Sequence, residues 1–181
     1  MLTFKQYLNE VLNNSYKWEL DDKNSDHDGV LYKFTTKPGL QYQVYMVSNG
    51  QGWELSFNID FNYLRKLGKS VDTAFKISGT GDQFRIFATI QDIVKDFITK
   101  KKPNVIEFAA AEDSRRRLYS TFTANFEKSQ PELFNTYIAW STKTGADHYI
   151  MNRDFAKKVL NGPNNSYFYN KIPSEYRDEL R

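Results

Sequence analysis

The run Lys76-Ile77-Ser78-Gly79-Thr80-Gly81 carries the residue types that hold phosphate. Two glycines one residue apart allow a tight turn and let a pyrophosphate approach the backbone closely. A helical pattern begins directly after them, and free N–H groups at a helix N-terminus attract anions. Lys76 adds a positive charge just upstream. Asp82 has two readings: it repels a phosphate, or it caps the helix, the commoner use of an aspartate there. Carboxylates able to take a proton from an amine stand on strand-like runs, Glu54 and Asp60 on one and Glu107 on another. Each also reads as a solvent-facing position of an alternating strand. Arg115-Arg116-Arg117 follows a helix start and suits a ribose phosphate, nucleic acid or a solvated face. Tyr167-Phe168-Tyr169 with Lys171 could stack bases or pack the tail onto the domain. His27 and His148 are far apart, sit in no metal-ligand spacing, and are expected to be structural or exposed.

Composition narrows the chemistry further. There is no cysteine, which excludes thiolate nucleophiles, disulfides and cysteine-based metal sites. A cytosolic setting is compatible with this. Lys and Arg number 25 against 22 Asp and Glu, and a net charge of +3 is too mild to favour nucleic acid as a partner. Apolar runs such as Ile86-Phe87-Ala88 are short, far below the roughly 18 consecutive apolar residues of a membrane span. No secretory signal pattern opens the chain. With 181 residues, 40% hydrophobic and 16% aromatic, one soluble domain with a substantial core is expected.

The elements that must position these residues read as an α+β fold. Leu2, Phe4, Tyr7, Leu8, Val11 and Leu12 fall at helical spacing over residues 2–12. A polar linker follows over residues 13–29, and a single α+β domain is expected over 30–181. Strands are expected at 30–36, 41–48 and 53–60, parted by Pro38-Gly39 and Asn49-Gly50, the latter a strong hairpin signal. Residues 62–70 read as basic and irregular, and 73–78 as a fourth strand. A helix over 82–101 presents Phe87, Ile90, Ile93, Val94, Phe97 and Ile98 on a wide apolar face, with Pro103 ending it. Val105 to Ala110 reads as a central strand, and Asp113 or Ser114 opens a helix to about Lys128. Shorter signals mark strands at 137–141 and 148–152 and a helix at 154–160, ahead of a polar, aromatic tail. The expected sheet is mixed, mostly antiparallel and flanked by helices.

Two resemblances add to this. Met1-Leu2-Thr3-Phe4-Lys5-Gln6-Tyr7-Leu8-Asn9-Glu10 is similar to the capsid-targeting segments of T-even-type phages, short amphipathic helices cut after a Leu-x-Glu motif. It implies a phage protein that meets a scaffold or prohead protease through residues 1–10. Such a protein would reside in the virion or the host cytoplasm, with a host protein as a possible target. Lys76 to Gly81 resembles the Gln/Arg-x-x-Gly-x-Gly/Ala signature of the GNAT acetyltransferase superfamily, with Lys76 in the cationic place. The strand–helix–strand–helix order over residues 73–126 matches as well. The resemblance implies acetyl-CoA as cofactor, without metal, and acyl transfer to an amine. Gly79, Thr80, Gly81 and Lys76 would hold the pyrophosphate, and Arg115 the ribose phosphate. Tyr119, in the Leu118-Tyr119 pair, would protonate the departing thiolate, with Glu107 as base. It also implies that Val105–Ala110 runs parallel to Thr73–Ser78, joined by the 82–101 helix as a right-handed crossover. The sheet would splay at that pair to admit the coenzyme. The family's paired acceptor-side helices have little room between Val30 and Thr73. The alternative is a non-catalytic virion component or host-enzyme inhibitor on the same scaffold.

Overall fold

The computed structural model describes residues 14–37, 39–68, 83–110, 113–124, 126–163 and 167–180; for residues 83, 84, 113–115, 118 and 129 it describes the backbone alone. Strands are β1 (Trp18–Leu20), β2 (Gly29–Thr35), β3 (Gln41–Ser48), β4 (Trp53–Ile59), β5 (Val105–Ala109), β6 (Tyr137–Ser141) and β7 (Asp147–Asn152). Helices are α1 (Phe61–Lys66), α2 (Gln83–Lys101), α3 (Asp113–Ala124), α4 (Phe126–Ser129), α5 (Pro131–Phe134), α6 (Arg153–Asn161) and α7 (Ser174–Leu180). The strands form one seven-stranded sheet in the order β1-β2-β3-β4-β5-β7-β6. The β1–β2, β2–β3, β5–β7 and β6–β7 pairs are antiparallel. The β4–β5 pair is parallel. The class is therefore α+β with a mixed sheet. No helix among the described residues is long and apolar enough to cross a membrane.

Two compact units divide the chain: residues up to 49 with 55–101, and residues 50–54 with 102–181. In the first, alternation drives β2 and β3 together. Phe34 pairs with Tyr42 and Tyr32 with Val44, all buried. Tyr16, Phe34 and Tyr42 stack in series, with centroids 6.1 and 5.1 Å apart. β1 was expected to be linker. Its pattern Tyr16-Lys17-Trp18-Glu19-Leu20 alternates as a strand should, and Trp18 and Leu20 pair with Phe34 and Tyr32. The polar Asn and Asp residues on both sides hide so short a run. α1 also departs from the irregular stretch expected at 62–70. Asp60 caps it, its carboxylate accepting from the N–H groups of Asn62 (2.8 Å) and Tyr63 (3.3 Å). α2 forms as its face predicts: Ile90, Ile93, Val94, Phe97 and Ile98 are buried. The Thr89 hydroxyl accepts from the Tyr16 N–H at 2.8 Å, and the Tyr32 hydroxyl donates to Asp96 at 3.2 Å.

In the second unit, β5, β7 and β6 sort their side chains by register. On one face Val105, Met151 and Ile138 form a row, and Tyr149 opposes Trp140. These join Ala156, Val159 and Leu160 of α6, Leu180 of α7, and Phe168 and Ile172 in a core. On the other face Phe108 and His148 pack with Tyr119 of α3. α3 and α4 lie within the stretch expected to be helical to about Lys128, and α7 closes the polar, aromatic tail. Gly52 lies against β5, where a Cβ would stand 3.0 Å from the Val105 carbonyl oxygen, so a side chain there meets backbone. The expected parallel partner of β5, residues 73–78, lies outside the described residues; the parallel partner seen is β4. The N-terminal segment 1–10 also lies outside them.

Candidate functional site

Three carboxylates meet on one face of the second unit's sheet. Glu54 opposes Glu107 in the β4–β5 register, Glu107 opposes Tyr149 across β5–β7, and Asp147 opposes Ala109. Because side chains alternate along a strand, register alone places Glu54, Glu107, Asp147 and Tyr149 on a common surface. They line a pocket of about 220 Å³ together with Tyr167 and Lys171. The Lys171 ammonium donates to the hydroxyls of Tyr149 and Tyr167, each at 2.7 Å. Burial pushes the Tyr149 hydroxyl above the usual phenol range, so it stays neutral and accepts from Lys171. Glu54 is exposed and Glu107 half-buried. A polar pocket with excess carboxylate suits a cationic or amine-bearing group.

The other expected site residues fall elsewhere. Asp60 caps α1 and also accepts from the Gln43 side-chain amide at 3.0 Å, a structural role. Tyr119 is 3% exposed, edge-on to Phe108 at 4.9 Å and to His148 at 5.2 Å. Arg115 lies on α3, with its side chain outside the described atoms; Arg116 donates to the Ala110 carbonyl at 3.2 Å, and Arg117 is exposed. Lys76, Gly79, Thr80, Gly81 and Asp82 lie outside the described residues. The Tyr167-Phe168-Tyr169 run divides its work: Phe168 is in the core, while Tyr167 stands at the pocket beside Lys171. His27 is exposed against Asp28. Among the described residues no group of three His, Asp or Glu could hold a metal ion.

A second polar cluster was not singled out from the sequence. The Thr123 and Ser141 hydroxyls are 2.7 Å apart, and Ser141 Oγ is 2.8 Å from His148 Nδ1. His148 is fully buried and stacked on Phe108 at 5.2 Å. Its Nε2 has no hydrogen-bond partner among the described residues. Burial lowers its pKa to about 4, so the ring is neutral at pH 7. The available signal was the turn Thr142 to Ala146, with Gly145 at a φ of +64°, which brings the two strands together.

Comparison with curated proteins and with solved structures returned no match. A family model, described as a family of unknown function (DUF6934), matches residues 14–159. That span holds every strand, the Glu54–Glu107 pair and the His148 cluster, and it leaves out Met1–Glu10, Lys171 and α7. The chain belongs to the DUF6934 family.

Proposed function

We propose that this chain is a GNAT-like protein that binds an acyl-coenzyme A thioester and passes the acyl group to an amine. The observation that carries the reading is the parallel β4–β5 pair. Its ladder is two residue pairs long, Trp53 with Ile106 and Glu54 with Glu107, and α2 lies in the connection between the strands. β5 then leads into α3, the strand–helix order the resemblance requires. The resemblance puts the coenzyme's opening beside β5, between it and residues 73–78, which lie outside the described residues. The first turn of α2 holds no acidic residue and includes Arg85, so its N–H groups favour an anion. Gly79, Thr80, Gly81 and Lys76 would hold the pyrophosphate there, and Arg115 the ribose phosphate.

The thioester supplies an activated acyl group with a thiolate leaving group. The chain's own part is proton management. Glu107, in the carboxylate pocket, would take the proton from the attacking amine. Tyr119, the proposed acid, is buried against Phe108 and His148 on the opposite face of the sheet from Glu107, so it would return a proton to the thiolate only if that face opened. That burial favours a second reading, a non-catalytic binding protein on the same scaffold, acting as a virion component or on a host enzyme. Acetyl-coenzyme A should raise the melting temperature by mass action, about 2.7 kcal/mol at a hundredfold excess over Kd. Gly81→Glu should abolish that shift. Glu107→Gln should keep it yet slow acetyl transfer to amines. Absence of any shift at millimolar coenzyme overturns the coenzyme reading, and a shift without transfer to any amine leaves the binding protein.

A further inference from the structure

We propose that a second cleft in the C-terminal unit binds a small protonated amine with an aromatic body. The cleft is about 410 Å³, within the range of small-molecule sites. It lies at the β6 end of the sheet, β6 being the last strand in the order. Phe134 of α5, Trp140 of β6 and Tyr176 of α7 supply its aromatic walls. Trp140 and Tyr176 stand 6.1 Å apart at 50°, a corner rather than a stack. The Tyr176 hydroxyl donates to the Ala139 carbonyl at 3.2 Å, which pins that ring to the strand. Ring faces set at an angle attract a cation held between them.

The charge of the lining agrees. Glu127 and Glu175 line the cleft and are exposed, and among the described lining residues there is no lysine or arginine. The nearby Arg153 sits over the Phe134 ring at 4.9 Å, where it is committed to the Phe134 carbonyl and to Glu179. An anion entering the cleft would therefore meet two lining carboxylates, with the nearest cation, Arg153, already paired to Glu179. Trp140 is 6% exposed and stacks on Tyr149 at 5.3 Å, which fixes its ring at the cleft. The cleft is independent of the acyl-transfer reading, and its test contains no coenzyme.

The probe is tryptamine, with indole-3-acetate as the control of similar body and opposite charge, titrated calorimetrically into the full chain. Tryptamine should bind saturably, and indole-3-acetate should not. The double variant Glu127→Gln and Glu175→Gln changes two exposed side chains and should keep its unfolding profile while weakening tryptamine about tenfold. Trp140→Phe, which presents a smaller ring with a weaker pull on a cation, should weaken it as well. No saturable tryptamine binding, equal binding of indole-3-acetate, or a Kd unmoved by the double variant overturns the proposal.

Discussion

A histidine ring packed against Phe108 and Tyr119, with one nitrogen on Ser141, gains nothing from a proton that burial would leave unsolvated. Its pKa falls from 6.5 to about 4. The sign follows from linkage. Between those values the unfolded chain binds a proton at His148 and the folded chain does not, so stability is full above about pH 6.5 and falls as pH drops toward 4. A shift of that size corresponds to about 3 kcal/mol lost by pH 4. Urea unfolding followed from pH 7.5 to 4 should show this loss in the wild type and a flatter profile in His148→Phe. An unchanged slope in the variant would assign the acid sensitivity to other groups. Glu107 and Tyr119 illustrate the same scale from the functional side. Glu107 reaches a pocket, whereas Tyr119 is a core residue whose proposed role requires exposure.

Among the elements, α1 depends on one side chain. Asp60 accepts from two backbone N–H groups at the helix start and from Gln43, so it ties the cap to β3. Asp60→Ala should cost about 1 kcal/mol, and Asp60→Asn much less, because an amide oxygen still caps. Chemical denaturation of both variants measures the difference; equal losses would mean that charge, not capping, matters at this position. β4 forms where its own pattern of Trp53, Leu55, Phe57 and Ile59 predicts, and its neighbours set its place. Asn49-Gly50 turns the chain into it, Gly50 having a φ of +80°, and Gly52 passes close to Val105 where β4 and β5 meet. α7 carries no comparable local signal, since a seven-residue helix is stabilised mainly by what it packs on.

For the whole molecule, the family match begins at residue 14, so Met1–Glu10 lies outside it. Reading Leu8-Asn9-Glu10 as a processing site on a phage protein is a proposal from the sequence resemblance alone. Mature chain from virions should then begin at Val11, which intact-mass analysis reads directly. Virions holding only full-length chain, or none, would remove the idea, and a loss of stability on deleting residues 1–10 would favour a packed helix instead. The α+β class, the β2, β3 and β5 runs, α2 with its apolar face and the Asn49-Gly50 turn were legible in the amino-acid order. Each is signalled by neighbours within a few residues, through alternation, helical period or turn chemistry. The same local rules marked Glu54 and Glu107 as separate strand carboxylates. Only the parallel register of β4 on β5 made them one site with Asp147 and Lys171, and only the β6–β7 pairing joined Ser141 to His148. Pairing between distant strands is decided by the burial that the assembled sheet gains. The sequence therefore determined which segments become strands and helices and which faces are apolar, while the tertiary structure decided which polar side chains meet, because those meetings depend on strand register and, for Glu54 with Glu107, join residues tens of positions apart.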